Sequence, residues 1–334
     1  MRTLTLAFFF TFHITTATAN PVGFAALTTP GIDSVVWYPT SETTPVTIVA
    51  ENPVFVGVPV VQNASVAGGL HPVAVLSHGY SGMWRNQAWL AERLASAGYI
   101  VASLNHPGTT YGDMDPLWAS EPSNRPKQLS RVLDALLADK SLAPQIDRNR
   151  ISVIGHSLGG STALMLAGGA FSTARLLEAC GDSTDKMVCT VYRKDGAEAD
   201  APLATTRDSR IIAAVLLDME GIRGFTPESL NSLPIPVLAL AAGIEDPALP
   251  LGWESREQGA RLPTATSRYA EIIGATHFSF MSACKPGAED LLGEDAYVCR
   301  GETAPRVELH AEIANTIIRF LNAGTQLVSA LQTP

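Results

Sequence analysis

The chain has 334 residues, of which 46% are hydrophobic and 16% charged, with a net charge of −9. A charged share below the roughly 25% of an average globular protein favours a large buried core, and the length allows one or two domains. The acidic balance, without a basic patch or an RNA-binding motif, argues against nucleic acid as a partner.

Met1-Arg2-Thr3 is a short basic start, Leu4 to Ile14 is mostly apolar, and Ala17-Thr18-Ala19 fits a small-residue cleavage site. This pattern reads as a secretory signal peptide over 1–19, with the mature chain starting at Asn20 and a periplasmic or secreted location. The apolar stretch is too short to span a bilayer and no later run is long enough, so stable membrane insertion is not expected. Residues 20–334 are expected to form one catalytic-type domain. Residues 34–62 read as short strands, at 34–38, 46–50 and 54–61. Pro72 to Ser77 then reads as a buried strand, Trp84 to Ala97 as a helix stopped by Gly98, and Tyr99 to Leu104 as the next strand. Leu129, Val132, Leu133, Leu136 and Leu137 fall on one face of a helix from Arg125 to Asp139. Ile151–Ile154, Ile211–Leu217, Val237–Ala242 and Arg268–Ile273 are further strands, and Arg306–Leu321 is a closing helix. Strands alternating with helices imply an α/β fold with a mainly parallel central sheet, helices on both faces and antiparallel strands at the N-terminal end. Residues 175–210 interrupt the alternation with a polar segment longer than an ordinary loop, either a small cap over the strand ends or a surface loop.

Between the strand ending at Ile154 and the helix starting near Gly160 stands Gly155-His156-Ser157-Leu158-Gly159, a G-x-S-x-G run. Strand, sharp turn and helix make a nucleophile elbow, which presents the Ser157 hydroxyl at the strand's C-terminal end beside a helix N-terminus. A serine hydroxyl needs a base within reach and an acid to hold that base. Of the seven histidines, His277 follows the last strand in a loop, where a hydrolase sheet delivers its base. His13 leaves with the signal, His71 lies at the wrong end of the sheet, His156 cannot turn back onto its neighbour, and His310 sits in the closing helix. Asp246, past the strand Val237–Ala242 and between serine and histidine in chain order, is the expected acid. Asp218, ending the preceding strand, is its rival, and Glu245 a third choice. The oxyanion donors expected are the amides of Leu158, directly after the nucleophile, and of Tyr80, in Ser77-His78-Gly79-Tyr80-Ser81-Gly82. His78 and His106 end strands on the same face, but no pair of histidines has metal-ligand spacing, so neither metal nor cofactor is expected.

The four cysteines lie in the expected mature chain. An even count in an exported protein points to disulfides. Loop closure favours the local pairing, Cys180–Cys189 and Cys284–Cys299.

Several of these motifs together resemble a known group. Val36-Trp37-Tyr38-Pro39-Thr40, Leu76-Ser77-His78-Gly79-Tyr80, Asn105-His106-Pro107-Gly108, Ile146-Asp147-Arg148, Gly155 to Gly160 and Gly274-Ala275-Thr276-His277-Phe278-Ser279-Phe280 resemble the bacterial predicted dienelactone hydrolases. These are similar to platelet-activating-factor acetylhydrolases of type II and, more distantly, to cutinase-like polyester hydrolases. The resemblance implies an α/β-hydrolase fold, a serine triad and no cofactor. True dienelactone hydrolases use cysteine where this chain has Ser157, and the acetylhydrolase pattern places the acid at Asp218. The expected activity is hydrolysis of carboxylic esters, with a small-molecule, lipid or polymer ester as substrate and the oligomeric state left open. An amidase or peptidase on the same residues, or a non-catalytic binding protein of the same fold, are the alternatives.

Overall fold

The computed structural model of the chain describes residues 21–183, 186–194, 196 and 202–331, so the expected signal peptide lies outside it. Ten strands form one sheet: β1 (Val22–Thr29), β2 (Ile32–Pro39), β3 (Val46–Val49), β4 (Val58–Gln62), β5 (His71–Ser77), β6 (Ile100–Leu104), β7 (Ile146–His156), β8 (Ile211–Leu217), β9 (Val237–Ala242) and β10 (Ser267–Ile272). Their spatial order is β10-β9-β8-β7-β5-β6-β2-β1-β4-β3. From β6 to β10 every neighbouring pair is parallel. The antiparallel pairs lie at the N-terminal end, β2 on β6, β1 on β2 and β3 on β4, while β4 runs parallel to β1.

Parallel strands covered on both faces carry near-continuous apolar runs. Alternation then sends Val73 and Val75 of β5 to one face and Ala74 and Leu76 to the other. The first face packs under α2 (Asn124–Ala138), through Leu129, Val132, Leu133 and Leu136, and under α3 (Leu158–Ala167). The second packs under α1 (Ala88–Ser96) and the closing helix, Arg306–Leu331, through Leu90, Leu94, Leu309, Ile313 and Ile317. The segment after α3 folds into two short helices, Thr173–Cys180 and Met187–Lys194. Their ends are bonded through Cys180–Cys189, and Cys284 is bonded to Cys299. Three readings differ from this structure. β1 was not anticipated, the strand expected over 54–61 begins only at Val58, and the closing helix runs on to Leu331.

Candidate active site

Ser157 sits between β7 and α3 with φ +57°, a conformation costly for a side-chain-bearing residue. Its amide is held by Leu217 O at 3.0 Å, which ties the turn to β8. The flanking glycines answer a steric demand. A Cβ on Gly155 would stand 1.8 Å from Gly159 O, and one on Gly159 would stand 2.1 Å from Ser77 O. The helix therefore passes against the strand and against the β5 loop with no room for a side chain, and Ser157 projects where both meet.

His277 follows β10 in a short 3-10 turn whose Thr276 and Ser279 cap one another. Its Nδ1–H donates to Asp218 Oδ2 at 2.6 Å, with both side chains buried. That bond fixes the neutral tautomer and leaves the Nε2 lone pair on the opposite edge, 3.6 Å from the Glu220 Oε1 that accepts the Ser157 hydroxyl. Asp218 Oδ1 accepts from Ala242 N–H and from Ser255 Oγ, each at 2.8 Å, so both its oxygens are satisfied. Its own backbone, at φ +41°, is bent into place by the Asp218 N–H bond to Leu240 O at 2.7 Å. Burial works against an imidazolium at His277. The hydrogen bond and charge of Asp218, with the charges of Glu220 and Asp246, outweigh it and hold the ring's pKa above the ordinary histidine value. Burial also pushes the Asp218 carboxyl up, but His277, Ala242 and Ser255 pull it below the usual carboxylate value.

The expectation of Asp246 at Nδ1 is corrected by this geometry. Past β9 the amides of Gly243 and Ile244 both donate to Ala275 O at 3.0 Å and turn the chain away from the ring. Asp246 Oδ1 then accepts from Ala248 N–H at 2.8 Å and closes its own turn. Glu245, exposed, accepts from Leu251 N–H.

His156 is buried, and its Nε2–H donates to His277 O at 3.0 Å, so it buttresses the loop of the ring beside it. Burial, with the His277 charge, drops its pKa to about 3 and keeps it neutral. Leu158 opens α3, where the first amides of a helix have no intrahelical acceptor. Tyr80 lies in the loop after β5, which comes close enough to Ser157 that a Cβ on Gly79 would meet its Cβ at 3.1 Å. Beneath that loop Arg125 is fully buried. It donates to Thr109 Oγ1 at 2.7 Å, Thr162 Oγ1 at 3.2 Å, Ser77 Oγ at 3.3 Å and His78 O. His78 Nε2 accepts from His106 N–H at 3.0 Å, so its Nδ1–H donates to Gly79 O. His106 Nδ1–H donates to Gln128 Oε1 at 2.8 Å, and its Nε2 accepts from Ser77 Oγ. Burial and then the Arg125 charge hold both rings' pKa values well below the ordinary histidine value. Both histidines are thus scaffold for the loop. Among the described residues no group of three His, Cys, Asp or Glu side chains is arranged to hold a metal ion.

Sequence reasoning missed Glu220. It is buried two residues past Asp218, and its Oε1 accepts the Ser157 hydroxyl at 2.7 Å. Ser157, His277, Tyr80 and Glu220 open onto a cleft of about 520 Å³. Met187, Val188, Val191 and Tyr192 wall one side, so the 175–210 excursion does reach the site, and Leu292, Tyr297 and Val298 of the Cys284–Cys299 segment wall another.

Comparisons with known proteins agree with this architecture. A family model described as PET hydrolase-like (PETase) matches residues 49–179. Cutinase 2 of Thermobifida cellulosilytica is 28% identical over 211 residues, which cover 61% of this chain and 59% of that protein. Lipase 1 of a Moraxella species is 37% identical over 105 residues, covering 31% of this chain and 30% of the lipase. The chain thus spans about three fifths, or less, of the length of these curated relatives. A solved ferulic acid esterase from Streptomyces cinnamoneus superposes with a TM-score of 0.63 at 22% identity, over 92% of this chain and 91% of the esterase. With an elbow serine at the centre of a mostly parallel, helix-covered sheet, the chain has the α/β-hydrolase fold and is similar, over part of its length, to cutinase-like polyester hydrolases.

Proposed function

We propose that the chain is an exported serine hydrolase of carboxylic esters, working through an acyl-enzyme with Ser157, His277 and Asp218. The observation that carries this reading is the 2.6 Å bond from His277 Nδ1 to Asp218, made by a ring that lines one cleft with the elbow serine. Ser157 Oγ attacks the ester carbonyl carbon as Nε2 takes its proton, and Asp218 stabilises the imidazolium so formed. The amides of Leu158 and Tyr80 receive the oxyanion. Collapse breaks the ester C–O bond, and the alcohol leaves with the proton from Nε2. Water then repeats the sequence on the acyl-enzyme and frees the acid. None of these steps draws on a cofactor.

The cleft lining is mostly aliphatic and aromatic, which suits an apolar acyl or aryl group. The cutinases, lipase and ferulic acid esterase among the similar proteins are named for esters of different kinds, consistent with a small-molecule, lipid or polymer ester here. Two disulfides accord with an oxidising compartment, and export through the 1–19 segment is tested by N-terminal sequencing of secreted protein, which should begin at Asn20. The activity is tested with p-nitrophenyl esters of rising acyl length. Turnover is expected across the series, and Ser157→Ala should lower kcat by roughly 10⁴-fold or more while leaving thermal unfolding nearly unchanged. Turnover of anilides at rates matching the esters would move the reading to an amidase.

A further inference from the structure

His277 is flanked by two carboxyls. Asp218 holds Nδ1, and on the opposite edge Glu220 Oε1 lies 3.6 Å from Nε2 while accepting the Ser157 hydroxyl at 2.7 Å. The second carboxyl stands at the corner where the serine proton must cross to the imidazole, and the three-residue mechanism makes no use of it. Its main chain is tied to the elbow. Ser161 Oγ, on α3, donates to Glu220 O, and the next amide, Gly221 N–H, donates to buried Glu254 Oε2 at 2.9 Å. Gln258 Nε2 donates to the preceding carbonyl, Met219 O.

We propose that Glu220 restrains the site: it is a competing acceptor that holds the Ser157 hydroxyl back from His277, and its charge beside Nε2 sets the acid limit of activity. The proposal rests on the serine-hydrolase reading above. The charged groups facing Glu220 are His277 and Asp218 at the strand ends, Asp246 in the loop after β9, and Glu254 just before the helix Ser255–Arg261, with Arg223 acting on Glu254. Burial disfavours the Glu220 carboxylate, the charges of Asp218 and Asp246 disfavour it further, and an imidazolium at His277 favours it. Glu220 and His277 therefore titrate as a pair. With Glu220 ionised, the ring gains a reason to keep a proton on Nε2, and a ring so protonated cannot receive the one on Ser157. Removing the Glu220 charge lets the ring release its proton at lower pH. A base with a raised pKa works only above that pKa, so the active range then extends downward.

The test is the pH dependence of fluorophosphonate labelling of Ser157, read as a second-order rate on the full disulfide-bonded chain, for wild type, Glu220→Gln and Glu220→Ala. The acid limb of both variants is expected to move down by about one pH unit. Glu220→Ala, which also removes the acceptor, should label severalfold faster on the high-pH plateau, because the hydroxyl is released to His277. Acid limbs that superimpose on wild type in whichever variant folds overturn the proposal. If neither variant folds, carbon-13 carboxyl titration of the wild type decides. A glutamate carboxyl whose midpoint moves when Ser157 is phosphonylated supports the proposal, and the absence of any such shift overturns it. A wild type that no fluorophosphonate labels at any pH removes the serine-hydrolase reading itself, and Glu220's role with it.

Discussion

A single hydrogen bond puts Asp218, the rival in the sequence, in the place expected of Asp246. Asp218→Asn should cost kcat roughly 10⁴-fold, because the amide leaves the imidazole in the wrong tautomer, whereas Asp246→Asn should cost less than about tenfold, since an Asn oxygen can still accept the turn bond and only a charge that does not touch the ring is lost. Steady-state kinetics on the two variants decides between them, and equal losses would break the assignment. The His277 pKa is raised by Asp218 and Glu220 against the pull of burial. The neutral base is therefore present above that raised pKa and is lost as pH falls through it. A plot of kcat/KM should drop on its acid side at a pH above the ordinary histidine value of about 6.5. The proposed nucleophile and base, Ser157 and His277, stand out in the sequence because their signals are local, a G-x-S-x-G between strand and helix and a histidine just past the last strand. The acid was not legible, because it depends on which way the chain leaves β9, and that is set by the carbonyl of Ala275, remote in sequence. Glu220 was invisible for a related reason: in sequence it is one more residue in the loop after β8.

At the scale of elements, the core strands β5 to β10 follow from their apolar runs, as do the helices that cover them. β1 escaped notice because Val22–Thr29 mixes small, polar and half-exposed residues and becomes a strand only through its pairing with β2. Phe55 is drawn off by a bridge to Cys284, which is why β4 starts late. The Cys284–Cys299 segment backs the loop of the base. Phe278 contacts Tyr297 with ring centroids 5.1 Å apart, and Arg306 donates to Ser282 O at 3.1 Å and to Val298 O at 2.7 Å. Replacing both cysteines with serine opens a loop of sequence separation 15. It should cost about 3 kcal/mol, visible in chemical denaturation, and lower turnover as His277 loosens. The helix Met187–Lys194 brings Met187 and Val191 to the cleft. Truncating both to Ala should raise KM for long acyl chains more than for acetate esters. A uniform change across the chain-length series would place the acyl group elsewhere.

Over the whole molecule, the site exists only because distant stretches of chain lie side by side. Ser152 Oγ of β7 donates to Val73 O of β5, 79 residues away in sequence, and His277 reaches Asp218 across 59. Loops of that length must close before any of these contacts reward them, and topologies dominated by such contacts assemble slowly. The helices carry local contacts and can form early, but a serine, a base and an acid cannot meet until β5, β7, β8 and β10 are in register. When denatured protein with its disulfides intact is returned to native buffer, far-ultraviolet circular dichroism should recover first. The capacity of Ser157 to take a fluorophosphonate should return only with the slowest phase, making the active site the last part of this chain to come into being.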